Sequence, residues 1–185
     1  MLWSAYGYSY LVDKSEFSFS YHISRHRTVP SAHGYYPLQV YGITATGAYQ
    51  YIPNIYEVLN FIWYLPEFPF PIITYTKKIT DADIRSTIAE ATANPSCDQA
   101  SFLLLIVLDV NMTRPEGGDD FSGSGFRWLW YYEAGAAAHN VQLEAAAWNL
   151  TVNSYIPIDS DTIRSALYLT SDFIPYLVIP IGRQL

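Results

Sequence analysis

Nine residues, FLLLIVLDV from Phe102 to Val110, run without a polar break until Asp109. A segment of strand length that is apolar on both of its faces has neither face to give to water, so it is expected as a central, doubly buried strand. The chain has 185 residues, which suits one domain over 1–185 around one sizeable core. Tyr, Phe and Trp make up 17% of it, more ring surface than a minimal core needs. Some of those rings are therefore expected at an interface or around a flat ligand.

The formal charge of −7, with ten Lys and Arg in all, does not supply the concentrated basic surface that nucleic acid requires. Cys97 is the single cysteine, which excludes an intramolecular disulfide and any multi-cysteine metal site. It follows Asn94-Pro95 in an expected loop, as a buried or idle thiol, because no cationic neighbour in sequence lowers its pKa. His22, His26, His33 and His139 lack ligand spacing, so no metal is expected. No stretch approaches the roughly 20 apolar residues of a membrane span, and no basic-then-apolar leader opens the chain. A soluble, cytoplasmic protein with no membrane partner is expected, and Asn111-Met-Thr and Asn149-Leu-Thr read as chance glycosylation matches.

Along the chain, MLWSAYGYSYLV reads as a helix end turning into a loop, and residues 14–26 as a loop. LQVYGITAT from Leu38 and AYQYIP after Gly47 alternate as a hairpin. Asn54 to Tyr64 suits a short helix, the proline-rich LPEFPFPIITY must be extended, and Tyr75 to Lys78 reads as a linker. Thr80-Asp81-Ala82-Asp83 carries helix-start signals before Ile84, Ile88 and Ala91, with Asn94-Pro95 as the stop. Thr113 to Gly125, TRPEGGDDFSGSG, reads as a mobile loop beside whatever site exists. The longest helix is expected from about Phe126 to Leu150, with Ala134, Ala138, Val141, Ala145 and Trp148 on one stripe. Its poverty in charge places it in the core or against a second copy of the chain. Asp159 or Ser160 caps a further helix, and FIPYLVIPIGR closes the chain as a strand.

RTVPSAHGYYPLQVY, from Arg27 to Tyr41, sets an arginine, a turn of small residues and an alternating strand in succession. Pro30 fixes its own φ and pushes Val29 toward extended geometry, while Gly34 can take φ > 0 and admit a ligand close to the backbone. Arg27 can grip an anion with a planar fork of donors. Taken alone, the segment suits either an anion and ring pocket or an ordinary turn behind a surface charge.

Read together with GAYQY, FRWLWYYEAGAAAHNVQLEAAAWNL and LVIPIGR, this segment resembles the nitroreductase family of FMN-dependent oxidoreductases, in particular the branch of SagB-like and thiazoline-oxidase-like dehydrogenases. The resemblance runs from about Leu2 to Arg183. It implies an α+β fold with a central, mostly antiparallel sheet flanked by helices, and one long buried helix at a homodimer interface. It implies FMN at that interface, each site built from both chains, and ping-pong hydride transfer through flavin N5. The small-molecule substrate is unnamed, and NAD(P)H is a candidate donor. No protein side chain is assigned a catalytic role.

Carried over by residue, the resemblance puts Arg27, Pro30, Ser31, Ala32 and Gly34 around the flavin. His33 stands where the family more often has glycine, with a ring that either narrows the substrate side or points to solvent. Arg127 opens the long helix, and Gly182 and Arg183 match the end near the FMN phosphate. Glu133 and Asn140 match the family's E-A-G and Q-N positions, where packing and interhelical hydrogen bonding are expected above direct cofactor contact. His139 replaces the usual glutamine. The family's upstream R-R-S-x-R-x-F segment is not in this chain, which leaves the phosphate to Arg25, Arg27 and Arg183. At Trp148 to Pro157 the family commonly has a glycine-rich turn, and Asn149 and Asn153 are expected to supply left-handed geometry instead. A flavin-binding or interaction protein of the same fold without turnover is the alternative reading.

Overall fold

The computed structural model describes residues 1–11, 25–53 and 74–183. Its centre is the apolar run, which forms strand β6 (Phe102–Asp109). Around it lie β3 (Leu38–Thr44), β4 (Gly47–Ile52), β5 (Tyr75–Thr80), β7 (Thr151–Val152) and β8 (Phe173–Gly182) in the order β5-β4-β3-β6-β8-β7. Every pairing is antiparallel. A separate two-stranded ribbon joins β1 (Tyr8–Leu11) to β2 (Arg25–Arg27). The fold is thus the α+β arrangement expected, with β6 between β3 and β8.

Alternation along β6 divides the core. Leu104, Ile106 and Leu108 face α1 (Leu2–Tyr6) and the long helix α4 (Arg127–Ala147). Leu103, Leu105 and Val107 face α2 (Arg85–Thr92), α3 (Ser96–Gln99) and α5 (Ser160–Ala166). All six are fully or almost fully buried. Burying a Leu or Ile side chain contributes about 1.5–3 kcal/mol, so this one strand anchors both layers.

Helix α4 rests on the sheet through Trp130, Ala134, Ala137, Ala138, Val141 and Ala145. Alanine at most of these positions lets the helix backbone approach the strands closely. Its end is a Schellman motif: Leu150 N–H donates to Ala145 C=O at 2.8 Å and Asn149 N–H to Ala146 C=O at 3.1 Å, with Asn149 at φ 53°. Asn149 therefore supplies the expected left-handed geometry, whereas Asn153, of which the same was expected, does not have a positive φ. The helix stops at Ala147, and Trp148 leaves the expected stripe with 69% of its surface exposed.

Other expectations need correction. Tyr75 to Lys78 are not a linker but the start of β5, which pairs with β4. Lys77 and Lys78 stand exposed there, a charge pattern that protects a sheet edge. Thr80 consequently ends a strand, and the first N–H of α2 is met by Asp83, whose carboxylate accepts from Arg85 N–H at 3.2 Å. Cys97 lies in α3 rather than a loop, buried, where desolvation pushes its thiol pKa up. Asp159 is the cap of α5, accepting from Asp161 and Thr162 N–H at 3.1 and 3.0 Å. The loops expected after Gly7 and at residues 25–26 are instead the paired strands β1 and β2, while the rest of the 14–26 loop up to residue 24, the helix expected over 54–64 and the extended proline segment up to residue 73 lie outside the described residues.

Candidate functional site

The turn after β2 is built on strained backbone. His33, Gly34 and Tyr36 all have left-handed φ values of 55°, 69° and 50°. For a bulky residue such as Tyr36 this conformation costs on the order of 1–2 kcal/mol, and such strain persists only where surrounding bonds enforce it. Two hydroxyls enforce it here. Ser31 Oγ accepts from Tyr36 N–H at 2.9 Å, and the Tyr6 hydroxyl accepts from Leu38 N–H at 3.2 Å.

Both hydroxyls then donate to one carboxylate, that of Glu133 in α4. Ser31 Oγ reaches Oε2 at 2.6 Å, and the Tyr6 hydroxyl donates to Oε1. Glu133 is 0% exposed. Burial raises its carboxyl pKa to about 7, against the opposing pull of Ser31, Tyr6 and the Arg27 charge. The Tyr6 hydroxyl is pushed well above its ordinary value, first by burial and then by the Glu133 charge.

Arg27 lies over the Tyr6 ring at 4.4 Å, with the Tyr8 and Tyr36 rings at 5.1 and 5.2 Å. Its Nη1 also donates to Tyr6 C=O at 3.4 Å. Burial pulls the guanidinium below its usual pKa, while Tyr6 and Glu133 hold it up. Farther along α4, Asn140 Nδ2 donates to Thr28 C=O at 2.9 Å, so two turns of one helix grip the segment that leads into the turn. Glu133 and Asn140 both fasten elements together, as expected of them.

The outer side of the turn is open. Pro30, His33 and Gly34 are exposed, Ser31 and Ala32 half-buried, and a side chain at Gly34 would meet nothing within 4 Å. His33 stacks on Phe121, with ring centroids 4.5 Å apart and planes 21° from parallel. Tyr35 donates to Asp119 C=O at 3.1 Å and lies 6.4 Å from Trp130. The acidic, glycine-rich loop of 113–125 is therefore fastened to the turn at Phe121.

The remaining expected site residues are spread out. Arg127 is exposed at the start of α4, close enough to Tyr176 to lower its hydroxyl pKa against the larger rise from burial. Gly182 ends β8 beside Thr151, just past the other end of α4, followed by exposed Arg183. About 20 Å of strand separates Tyr176 from Gly182, so Arg127 and Arg183 stand at opposite ends of the molecule's long helix. Arg25 lies in β2, and its side chain is outside the described residues.

Sequence reasoning missed Tyr6 and Phe121. Tyr6, Ser31 and Glu133 are brought together across 127 and 102 positions of chain, and no local spacing carries that information. Among the described residues no cluster of three or more His, Cys, Asp or Glu is placed to hold a metal ion, and no helix is long and apolar enough to cross a membrane.

The sequence profile described as the nitroreductase family matches residues 5–183. The chain belongs to the nitroreductase family. Members of this family are generally oxidoreductases, typically dimeric with FMN. Among solved structures, a nitroreductase-like protein of Ralstonia eutropha JMP134 is 20% identical, with a TM-score of 0.69 over 100% of this chain and 70% of its own. A subunit of the Escherichia coli microcin synthetase McbBCD complex, with truncated pro-MccB17 bound, is 13% identical, with a TM-score of 0.66 over 100% of this chain and 61% of its own. A nitroreductase-like protein of Desulfovibrio desulfuricans, solved in complex with FMN, is 18% identical, with a TM-score of 0.53 over 84% of this chain and 66% of its own. This nitroreductase-family chain thus spans less than two thirds of the last two. No curated protein matches it.

The residues of the turn fit a flat, anionic cofactor. The turn is open at Pro30 and Gly34, with the exposed His33 ring between them, and the Thr28 hydroxyl just before it is buried with no hydrogen-bond partner among the described residues. An unmet buried hydroxyl costs about 1–3 kcal/mol, which a polar group arriving at the turn would relieve.

Proposed function

We propose that this nitroreductase-family protein is an FMN-dependent oxidoreductase, nearest in kind to the SagB-like and thiazoline-oxidase-like dehydrogenases, with the cofactor held between two copies of the chain. Bound FMN would supply reversible hydride acceptance at its N5 atom, alternating between a donor such as NAD(P)H and a second small molecule in a ping-pong cycle. The observation that carries this reading is the turn from Pro30 to Gly34, open on its outer side and braced from beneath by Glu133. A rigid backbone edge with small side chains is what a planar ring needs for close approach, and rigidity lowers the entropy lost on binding.

The protein's own part is binding, orientation and charge. Pro30, Ser31, Ala32, His33 and Gly34 of the turn are assigned to the wall beside the ring. Arg25, Arg27 and Arg183 are assigned to the cofactor's phosphate tail, with Gly182 beside Arg183 and Arg127 on the other side of the site. Because Arg127 and Arg183 lie at opposite ends of α4, one site draws on both only if two chains contribute, which a two-fold pair achieves. Trp128, Tyr131 and Tyr132 along α4, and Trp148 just past its end, are exposed and supply apolar cover for such a pairing.

A second reading is favoured by Arg27, whose guanidinium is turned against Tyr6 and toward Glu133 and so has less of its charge to offer a phosphate. On this reading the chain binds flavin, or a partner, without turnover. Anaerobic mixing of the flavin-loaded protein with NADH and then NADPH separates the two. Loss of the flavin band near about 450 nm, followed by its return with an electron acceptor, is expected of the oxidoreductase. A stoichiometrically yellow protein that neither nicotinamide bleaches supports the reading without turnover.

A further inference from the structure

Two hydrogen-bond relays converge on one buried carboxylate. The first runs from Tyr36 N–H to Ser31 Oγ and from its hydroxyl to Glu133 Oε2. The second runs from Leu38 N–H to the Tyr6 hydroxyl and on to Glu133 Oε1. Each hydroxyl accepts from the backbone and donates to the carboxylate, so its single proton is committed. Ionised Glu133 is the acceptor that both relays require. The relays act at either side of the left-handed Tyr36, where the chain leaves the strained turn and enters β3.

The geometry points to Glu133 as a positioning residue for the flavin site, one that holds the turn from Ser31 to Leu38 through Ser31 and Tyr6 and couples the grip of that turn on the flavin to uptake of one proton. This rests on the flavin reading above. A proton on Glu133 occupies one carboxyl oxygen as O–H and needs an acceptor in turn. The only hydroxyls beside it among the described residues are those of Tyr6 and Ser31, so one relay must reverse its donor. The same proton makes the buried cluster more positive by one charge. The titratable and charged groups that face Glu133 are Tyr6 from α1 and Arg27 from β2, and neither is another carboxylate. Proton uptake therefore favours an anionic ligand at the turn, and the burial of Glu133 places its titration near neutral pH, pushed up to about 7.

The test follows backbone amides and flavin affinity together. In flavin-free protein, the Tyr36 and Leu38 amide resonances are expected to titrate with one shared midpoint near neutral pH, and to become independent of pH in Glu133→Gln. Tyr6→Phe removes one relay and keeps the ionisation, so the Tyr36 amide should still titrate while the Leu38 response is lost. Riboflavin, which lacks a titrating phosphate, and FMN are then titrated above and below that midpoint. Wild-type affinity for anionic FMN should rise by about fivefold or more at the lower pH relative to Glu133→Gln, whereas the affinity for uncharged riboflavin should stay level in both proteins. Amides that do not titrate, or that titrate unchanged in Glu133→Gln, overturn the relay role. Amides that titrate as expected while neither flavin binds overturn the flavin reading and the coupling, and uphold Glu133 as the residue that positions the turn.

Discussion

Glu133 is the residue whose surroundings differ most from its sequence context. In the sequence it is the acidic member of an E-A-G triplet in an apolar helix, which suggested packing and hydrogen bonding, and that role is the one it fills. Its partners were not legible, because Tyr6 and Ser31 reach it from distant segments. The raised pKa has a consequence for stability. Between the ordinary carboxylate value of 4.5 and about 7, the unfolded chain has released this proton while the folded chain still holds it. Fewer protons in the unfolded state means that stability falls as pH rises through this window, by on the order of 3 kcal/mol from this residue. Denaturant unfolding at a series of pH values should show that decline in the wild type and its loss in Glu133→Gln. Arg27 pulls the same pKa down, so Arg27→Ala should move the decline to higher pH. The same substitution should weaken FMN binding by tenfold or more, since a charge-assisted contact is worth about 1.5–3 kcal/mol. An unchanged FMN titration in Arg27→Ala would move the phosphate site elsewhere.

The elements were legible wherever periodicity met a local stop signal. The unbroken apolar run from Phe102 announced β6, and Asp159 announced the start of α5. β5 was hidden because YTKKIT has two lysines at its centre, and exposed edge strands carry the charge that linkers do. The end of α4 was hidden for a different reason: Asn149 takes the left-handed cap, a place where glycine is the usual signal. At Gly47 the β3–β4 hairpin depends on a residue without a side chain. Its φ is 137°, and an added Cβ would lie 2.2 Å from Thr80 C=O of β5. Gly47→Ala is expected to destabilise the fold by more than about 1 kcal/mol, read from the denaturation midpoint. Ala137 is fully buried on the sheet-facing side of α4, and Ala137→Leu should cost about 1–3 kcal/mol by overpacking.

At the scale of the molecule, the sheet, the two helical layers and the family were readable from motifs spread across the chain. The layout of the site was not. Motif order places Arg127 and Arg183 together in a list, whereas the fold puts them at opposite ends of α4. A shared site in a two-fold dimer reconciles the motif with the fold, and it has a cheap check. Sedimentation at micromolar concentration should give a dimer, and Tyr132→Lys, at a ring 68% exposed on the outer side of α4, should shift it toward monomer without unfolding the protein. The most direct measurement is the titration of FMN into flavin-free protein, followed by the quenching of flavin fluorescence. Saturation at one FMN per chain in the micromolar range is expected; no saturation at millimolar FMN would contradict an FMN-dependent function.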